Sequence, residues 1–205
     1  MKTSRPKNDS RSLLIAAAAA FCVYFCMYAF RKPFTAAEFN GKAVFGSDLK
    51  STLIISQLIG YMLSKFIGIR IVSELNRKYR TLAILGLIAF SELALLCFAV
   101  LPTEYKVFAM FLNGLPLGMV FGFVLSYLEG RTTTEALSAV LCASFIMASG
   151  VVKSVGQWLI KVQGVNEFNM PMITGLIFLA PLLLSVFILH KTPPPSTNDI
   201  QARKV

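Results

Sequence analysis

Six long apolar segments constrain this chain more than any other feature of its sequence. A helix of about 20 apolar residues crosses a bilayer, and each segment has roughly that length. Only a helix satisfies all its own backbone hydrogen bonds in lipid without a partner strand. We therefore expect an all-α, polytopic membrane protein with six transmembrane helices. They span residues 12–30, with a possible extension to 39, then 51–71, 81–101, 107–128, 136–160 and 171–189.

Composition supports this class. Apolar residues make up 56% of the 205 residues and charged residues only 15%, a balance that excludes intrinsic disorder and disfavours a water-soluble domain. We expect a six-helix transmembrane domain over 12–190. A short segment, 1–11, precedes it, and a Pro-rich tail or the start of a linker, 191–205, follows it.

The net charge of +10 is better explained by membrane topology than by nucleic acid, because the basic residues lie mostly in tails and short connections. Counted by side, twelve Lys and Arg fall with the two termini and six on the opposite side. Cytoplasmic loops carry the excess of Lys and Arg. The sequence thus predicts a multi-pass protein of the cell (inner) membrane with both termini in the cytoplasm.

Four charged residues are placed at membrane depth, where each costs roughly 2.5 to 3.5 kcal/mol. They are Arg31, Lys65, Glu92 and Lys153. Alternatives remain for each: Arg31 and Lys32 could mark the outer end of the first helix, and Lys65 and Lys153 could snorkel. Glu92 could pair with a cation, bind a proton or lie at the bundle surface.

Three segments carry polar side chains and a cation at intervals of three or four residues, which puts each set on a single helix face. If these faces converge, they line a polar cavity for an anion, since Arg binds phosphate or carboxylate through two parallel hydrogen bonds. The three sets are Tyr24, Tyr28 and Arg31; Gln57, Tyr61 and Lys65; and Ser149, Lys153 and Gln157.

Small residues recur every fourth position in two spans. Such stripes let helix backbones approach closely in lipid, so they predict packing faces and carry no information about substrate. They are Ser56, Gly60, Ser64 and Gly68 in the second span, and Gly114, Gly118 and Gly122 in the fourth.

Enzymatic constellations are not evident. The one histidine, His190, falls at a helix end, and no metalloprotease, phosphate-loop or serine-hydrolase motif occurs. The four cysteines lie in apolar stretches without metal-site spacing. No enzyme activity, metal or cofactor is expected.

Two motifs resemble a known family. Tyr24-x-x-x-Tyr28-x-x-Arg31-Lys32-x-Phe34 and Tyr61-x-x-Ser64-Lys65-Phe66 are similar to the first two helices of the organophosphate:phosphate antiporters. These are the glycerol-3-phosphate and hexose-phosphate transporters of the major facilitator superfamily. Three further stretches fit the same pattern: Ser73-Glu74 with the basic residues after it, Asn113-Gly114, and Thr192-Pro193.

The resemblance covers one half of such a transporter and implies two three-helix repeats. It assigns anion binding to Arg31 and Lys65, with Tyr24 and Tyr28 lining the cavity. The fifth helix departs from the glycerol-phosphate carriers, because Ser144 stands where they have a substrate-site histidine. The stretches 129–135 and 148–154, which include Lys153, instead look like an uncharacterised bacterial branch of the superfamily.

We therefore expect the amino-terminal half of a secondary transporter that works by alternating access on an organic anion, with a phosphorylated metabolite as one candidate substrate. The chain would be a truncated or split carrier, a paired copy, or a protein that has lost transport. The alternative is a membrane receptor or assembly subunit that keeps the half fold. Expected partners are the lipid bilayer, a small anion, and a second six-helix half or a second copy, with no nucleic acid.

Overall fold

A computed structural model describes residues 7–129 and 134–192 of the chain. The chain is mostly helical, and the ends of its six long helices lie within five residues of the ends of the apolar segments. The long helices are α1 (Lys7–Met27), α2 (Leu49–Glu74), α3 (Arg77–Val100), α4 (Lys106–Leu128), α5 (Thr134–Lys161) and α6 (Met170–His190). Short 3₁₀ helices cover Tyr28–Phe30, Pro33–Ala36 and Thr103–Tyr105, and a two-residue hairpin pairs β1 (Ala43–Val44) with β2 (Ser47–Asp48).

Among the described residues, the five helices α2 to α6 are long and apolar enough to cross a bilayer, and the apolar stretch Leu14–Phe30, formed by α1 and the 3₁₀ turn after it, is shorter. Large apolar side chains on α2, α5 and α6, such as Phe66, Ile146 and Leu184, are exposed. Lipid rather than water accounts for that surface. The chain is thus a multi-pass helical membrane protein.

The suggested extension of the first helix to residue 39 is wrong. The α-helix ends at Met27, and two 3₁₀ turns follow it, the second beginning at Pro33. Proline has no backbone N–H to donate and restricts the residue before it. The chain therefore turns at Arg31 and Lys32, which lie beyond the end of the α-helix.

The small-residue stripes of α2 and α4 are packing faces, as predicted, and the structure shows that they pack against each other. A Cβ atom at Gly118 would lie 2.7 Å from the Cβ atom of Ser64, and one at Gly114 would lie 2.9 Å from the backbone nitrogen of Tyr61. Ser56 adds a 2.7 Å hydrogen bond from its hydroxyl to the carbonyl of Val107. Because these positions carry so little side chain, the two backbones touch along much of their length.

The other helices complete the bundle around α1 and α4. Helix α3 packs on α4 and α6, whereas α1 packs on α5 and α6 and, less extensively, on α4. The buried core continues through α1, from Ala16 to Phe30, into α4 and α5. Residues on α1, α2, α4 and α5 can therefore meet on one side of the bundle.

One end of the bundle, here called the hairpin end, holds the β1–β2 hairpin and the α5–α6 connection. The Glu167 carboxylate accepts hydrogen bonds from the backbone nitrogens of Glu38 and Phe39 at 3.2 and 3.1 Å. Lys106, the first residue of α4, is buried, and its Nζ donates to the carbonyls of Phe98 and Ala99. These contacts fix the connections beside Arg31.

The predicted terminal segments fall mainly outside the described residues. Nothing is described of 1–6 or 193–205, nor of the side chains of 7–13. The motif at 129–135 is described only at its ends, since 130–133 are omitted.

Candidate functional site

Two cations from different parts of the chain meet at the ring of Tyr61, a buried residue of α2. The Arg31 guanidinium carbon lies 3.9 Å from the ring centroid, and the Lys65 Nζ lies 4.9 Å from it. Because both distances are measured to one point, the two positive groups are less than about 9 Å apart. We call Tyr28, Arg31, Tyr61 and Lys65 the Tyr61 cluster.

Tyr28 completes this cluster. Its ring centroid is 5.7 Å from the Arg31 guanidinium carbon, and its hydroxyl accepts a long hydrogen bond of 3.4 Å from Arg31 Nη1. Since a guanidinium over an aromatic ring gains about 0.5 to 2 kcal/mol, the two phenols hold Arg31 in place. Most of the Arg31 side-chain donors form no hydrogen bond with the residues that the structure describes.

Aromatic side chains from three more helices form a wall next to the cluster. The Tyr24 ring of α1 lies 5.8 Å from that of Tyr28 and 5.3 Å from that of Phe121 on α4. Phe145 of α5 stacks on Tyr28 at 6.0 Å. The predicted lining residues Tyr24 and Tyr28 are thus together, and four helices shape one surface beside Arg31 and Lys65.

The charge of the cluster is not neutralised by its neighbours. Among the described side chains, no carboxylate lies within 4 Å of Arg31 or Lys65, and the ion pair in that part of the chain joins Arg70 to the exposed Glu74 at 2.9 Å. Arg31 is half-buried and Lys65 is exposed. Two unpaired cations beside phenol groups suit an anion, to which Arg offers a fork of donors and Lys a point charge.

Lys65 also borders a groove between α2 and α4 with a volume of about 500 Å³. The groove runs from the cluster toward the α2–α3 turn, where Arg80 and Glu129 line it beside Gly118 and Gly122. Small ligands occupy pockets of roughly 300 to 1,000 Å³. The groove is therefore large enough to lead a metabolite-sized anion to Lys65.

Gln57 lies on the same side of α2 as Tyr61, but its amide is used within the protein. It is buried and donates to the carbonyl of Arg31 at 3.0 Å and to Oδ1 of Asn113 at 2.8 Å. The predicted substrate-binding residue Gln57 thus positions the backbone of Arg31.

Asn113 is the residue that sequence reasoning missed as part of the site. It is fully buried on α4, and its Nδ2 lies within hydrogen-bonding distance of the Phe30 carbonyl and of both oxygens of Ser91. The available signal was an amide inside an apolar helix, since such a group must find partners in lipid. Asn113 links α2, α3 and α4 to the turn that carries Arg31.

Lys32 follows Arg31 in the chain, and Lys153 of α5 is close enough for its charge to act on Lys32, but among the described contacts neither lysine lies over the Tyr61 ring. Burial lowers the pKa of Lys32, and the positive charges of Arg31 and Lys153 lower it further. Lys153 is exposed on α5, as is Gln157. Lys32 and Lys153 therefore add two cations to the surroundings of Arg31, and neither of them forms a described ion pair.

Glu92 does not join the cations. It lies on α3, where its carboxylate faces Gly175 of α6, and both of its oxygens are buried without a described hydrogen-bond partner. Of the alternatives for this residue, pairing with Arg31, Lys65 or Lys153 is not observed in the described residues.

No curated protein and no solved structure is significantly similar to this chain. One protein family matches it over residues 33–205, a stretch that contains Tyr61, Lys65, Asn113 and Lys153 and starts just after Arg31. Since the match covers most of the sequence, the chain belongs to the family of unknown function DUF5690.

Proposed function

We propose that the chain is one half, the amino-terminal half, of a secondary active transporter of the major facilitator type that carries an organic anion by alternating access. A phosphorylated metabolite is the preferred class of substrate. One observation carries the proposal: Arg31 and Lys65 meet at Tyr61 without a carboxylate partner among the described side chains.

The free-energy cost of placing these charges in a bilayer supports the proposal. Each cation costs several kcal/mol near the middle of a bilayer unless a counter-charge or water offsets it. A structural ion pair would lower that cost permanently, and among the described side chains neither Arg31 nor Lys65 forms one. An anion that binds and leaves would lower it only while bound, which is the behaviour that a carrier requires.

The pairing of the helices supports two three-helix repeats. Helix α2 packs on α4, and α5 packs on α1; α3 packs on α4, and α6 packs on α1. This pattern is unchanged when α1–α3 are exchanged for α4–α6. Successive spans cross in opposite directions, so such repeats would be inverted, an arrangement found within the halves of these transporters.

A half of this kind supplies one wall of the path. The other wall would come from a second six-helix half or a second copy, against the apolar surfaces of α2 and α5 that are exposed here. The excess of basic residues beside the α2–α3 turn favours the cytoplasm for that end of the bundle and for both termini. The groove next to Lys65 would then open toward the cytoplasm.

The experiment is uptake of radiolabelled glycerol 3-phosphate and inorganic phosphate into proteoliposomes that contain the full chain and unlabelled anion inside. We expect counterflow that is lost in Arg31→Ala and Lys65→Ala and reduced in Arg31→Lys, which keeps the charge but loses the fork of donors. Lys161→Ala removes an exposed cation at the end of α5 and should leave uptake unchanged.

If the anion binds saturably, and binding requires Arg31 and Lys65, but there is no uptake, the result would favour a membrane receptor over a transporter. Neither binding nor uptake of any member of an anion panel, with a correctly folded protein, would refute the proposal.

A further inference from the structure

The carboxyl group of Glu92 is enclosed by α6 and by the turn that follows α1. A Cβ atom at Gly175 would collide with Oε2 of Glu92 and would lie 3.2 Å from Cδ1 of Phe30. Phe30 is completely buried. The carboxyl group, the glycine backbone and the phenylalanine ring therefore meet at one point inside the protein.

Neither oxygen of Glu92 accepts a described hydrogen bond, although both are buried. An ionised carboxylate without hydrogen bonds or a counter-charge is far more costly to bury than the neutral acid. An ionisable residue in such a position within a membrane protein is often a functional proton site.

Among the described side chains, no cation lies within 4 Å of the Glu92 carboxylate. Helices α4 and α6 and the turn Tyr28–Phe30 pack against α3. At 1.5 Å per residue, the titratable groups of α4 and α6 lie about 10 to 22 Å along their helices from the level of Glu92. The groups so measured are Lys106 and Tyr127 on α4 and His190 on α6. The other titratable groups of these elements are Tyr28, Arg31 and Lys32 at the turn, and Arg77, Lys78, Tyr79, Arg80 and Cys97 on α3 itself.

A short stretch of backbone joins this point to the Tyr61 cluster. The ring of Phe30 borders Glu92, and the carbonyl of Phe30 accepts a hydrogen bond from Asn113 at 3.1 Å. The next residue is Arg31, whose carbonyl accepts from Gln57 and whose guanidinium lies over Tyr61. Phe30 therefore lies beside the Glu92 carboxyl group with its ring and next to Arg31 in the chain.

We propose that Glu92 is a proton-binding site that makes the proton the coupling ion, so that proton and anion bind together. The neutral acid keeps Phe30 packed and Arg31 on Tyr61; loss of the proton draws water or Arg31 toward the carboxylate and weakens the anion site. The proton adds to a carboxylate oxygen on binding and returns to water on release. This inference rests on the anion-binding function proposed above.

The proton site is tested without any ligand. Infrared titration of the full chain in lipid nanodiscs should show the carbonyl stretch of a buried protonated carboxylic acid at neutral pH. Glu92→Gln should remove that band, and Glu104→Gln, which changes an exposed carboxyl, should not. A wild-type spectrum without a band that depends on Glu92 overturns the inference.

The coupling is tested by binding glycerol 3-phosphate across pH, with inorganic sulfate as a second probe because its charge is constant near neutrality. Wild-type affinity should fall by up to about tenfold per pH unit above the Glu92 titration, and binding should take up a proton by reciprocity. Both effects should vanish in Glu92→Gln. Phe30→Leu should keep the infrared band and lose the pH dependence.

The outcomes separate the two proposals. An infrared band without binding of either probe at any pH supports the proton site and counts against the proposed anion function. Binding with the same pH dependence in wild type and Glu92→Gln supports the anion site and overturns the coupling.

Discussion

Replacing Asn113 by leucine should uncouple the turn that carries Arg31 from the rest of the bundle. The side chain keeps its approximate volume but loses every polar contact. The amide nitrogen lies near three acceptors, yet it has only two hydrogens, so Asn113 donates at most two hydrogen bonds and accepts one from Gln57. At about 0.6 kcal/mol for each interhelical bond in a membrane protein, Asn113→Leu should cost about 2 kcal/mol of unfolding free energy.

A double-mutant cycle isolates the contact between the two amides. Gln57→Leu removes the donor of the 2.8 Å bond to Asn113 and the 3.0 Å bond to the Arg31 carbonyl, so it should cost about 1 kcal/mol. The double variant should be more stable than the sum of the single losses by about 0.5 to 1.5 kcal/mol, because the shared bond is lost only once.

The assay is reversible unfolding in mixed micelles with increasing SDS, followed by the fluorescence of Trp158 and by circular dichroism. Gln163→Leu changes an exposed amide in the α5–α6 connection and is the matched control, expected to be neutral. Strict additivity of Gln57→Leu and Asn113→Leu, or a loss for Asn113→Leu no larger than the control, would refute the argument.

Three further predictions concern packing and charge. Gly118→Leu should separate α2 from α4 and lower unfolding free energy by several kcal/mol, whereas Gly86→Leu, with open space around its Cβ position, should be tolerated; equal losses would contradict the packing. Lys106→Met should cost about 1 to 3 kcal/mol because it leaves two carbonyls without their donor, which the same unfolding assay measures. Lys153→Gln should raise the pKa of Lys32 by removing a repelling charge, so amine labelling of Lys32 at mildly alkaline pH should slow; unchanged labelling would show that the two charges do not interact.

Local sequence was sufficient for the helices and for the small-residue faces of α2 and α4, whereas the structure was needed to show that these two faces meet. Runs of apolar residues must become helices in lipid because no other backbone structure satisfies its own hydrogen bonds there. Glycines at every fourth position of α4 must form one stripe because a helix repeats nearly at that interval. Both statements depend on neighbours in the chain, and the structure agrees with both.

Tertiary structure decided what the polar residues do. Gln57 and Lys65 belong to the same predicted helical face, yet Gln57 is buried in the core and Lys65 is exposed. They differ because α4, with Asn113, lies against one side of α2 and binds Gln57 there. Tyr24, Tyr28 and Arg31 were expected on one helical face, but the α-helix ends at Met27. Arg31 nevertheless contacts Tyr61, because the turn after the helix brings it there. Whether two charges share one ring is set by contacts between distant segments, and helical periodicity carries no information about those contacts.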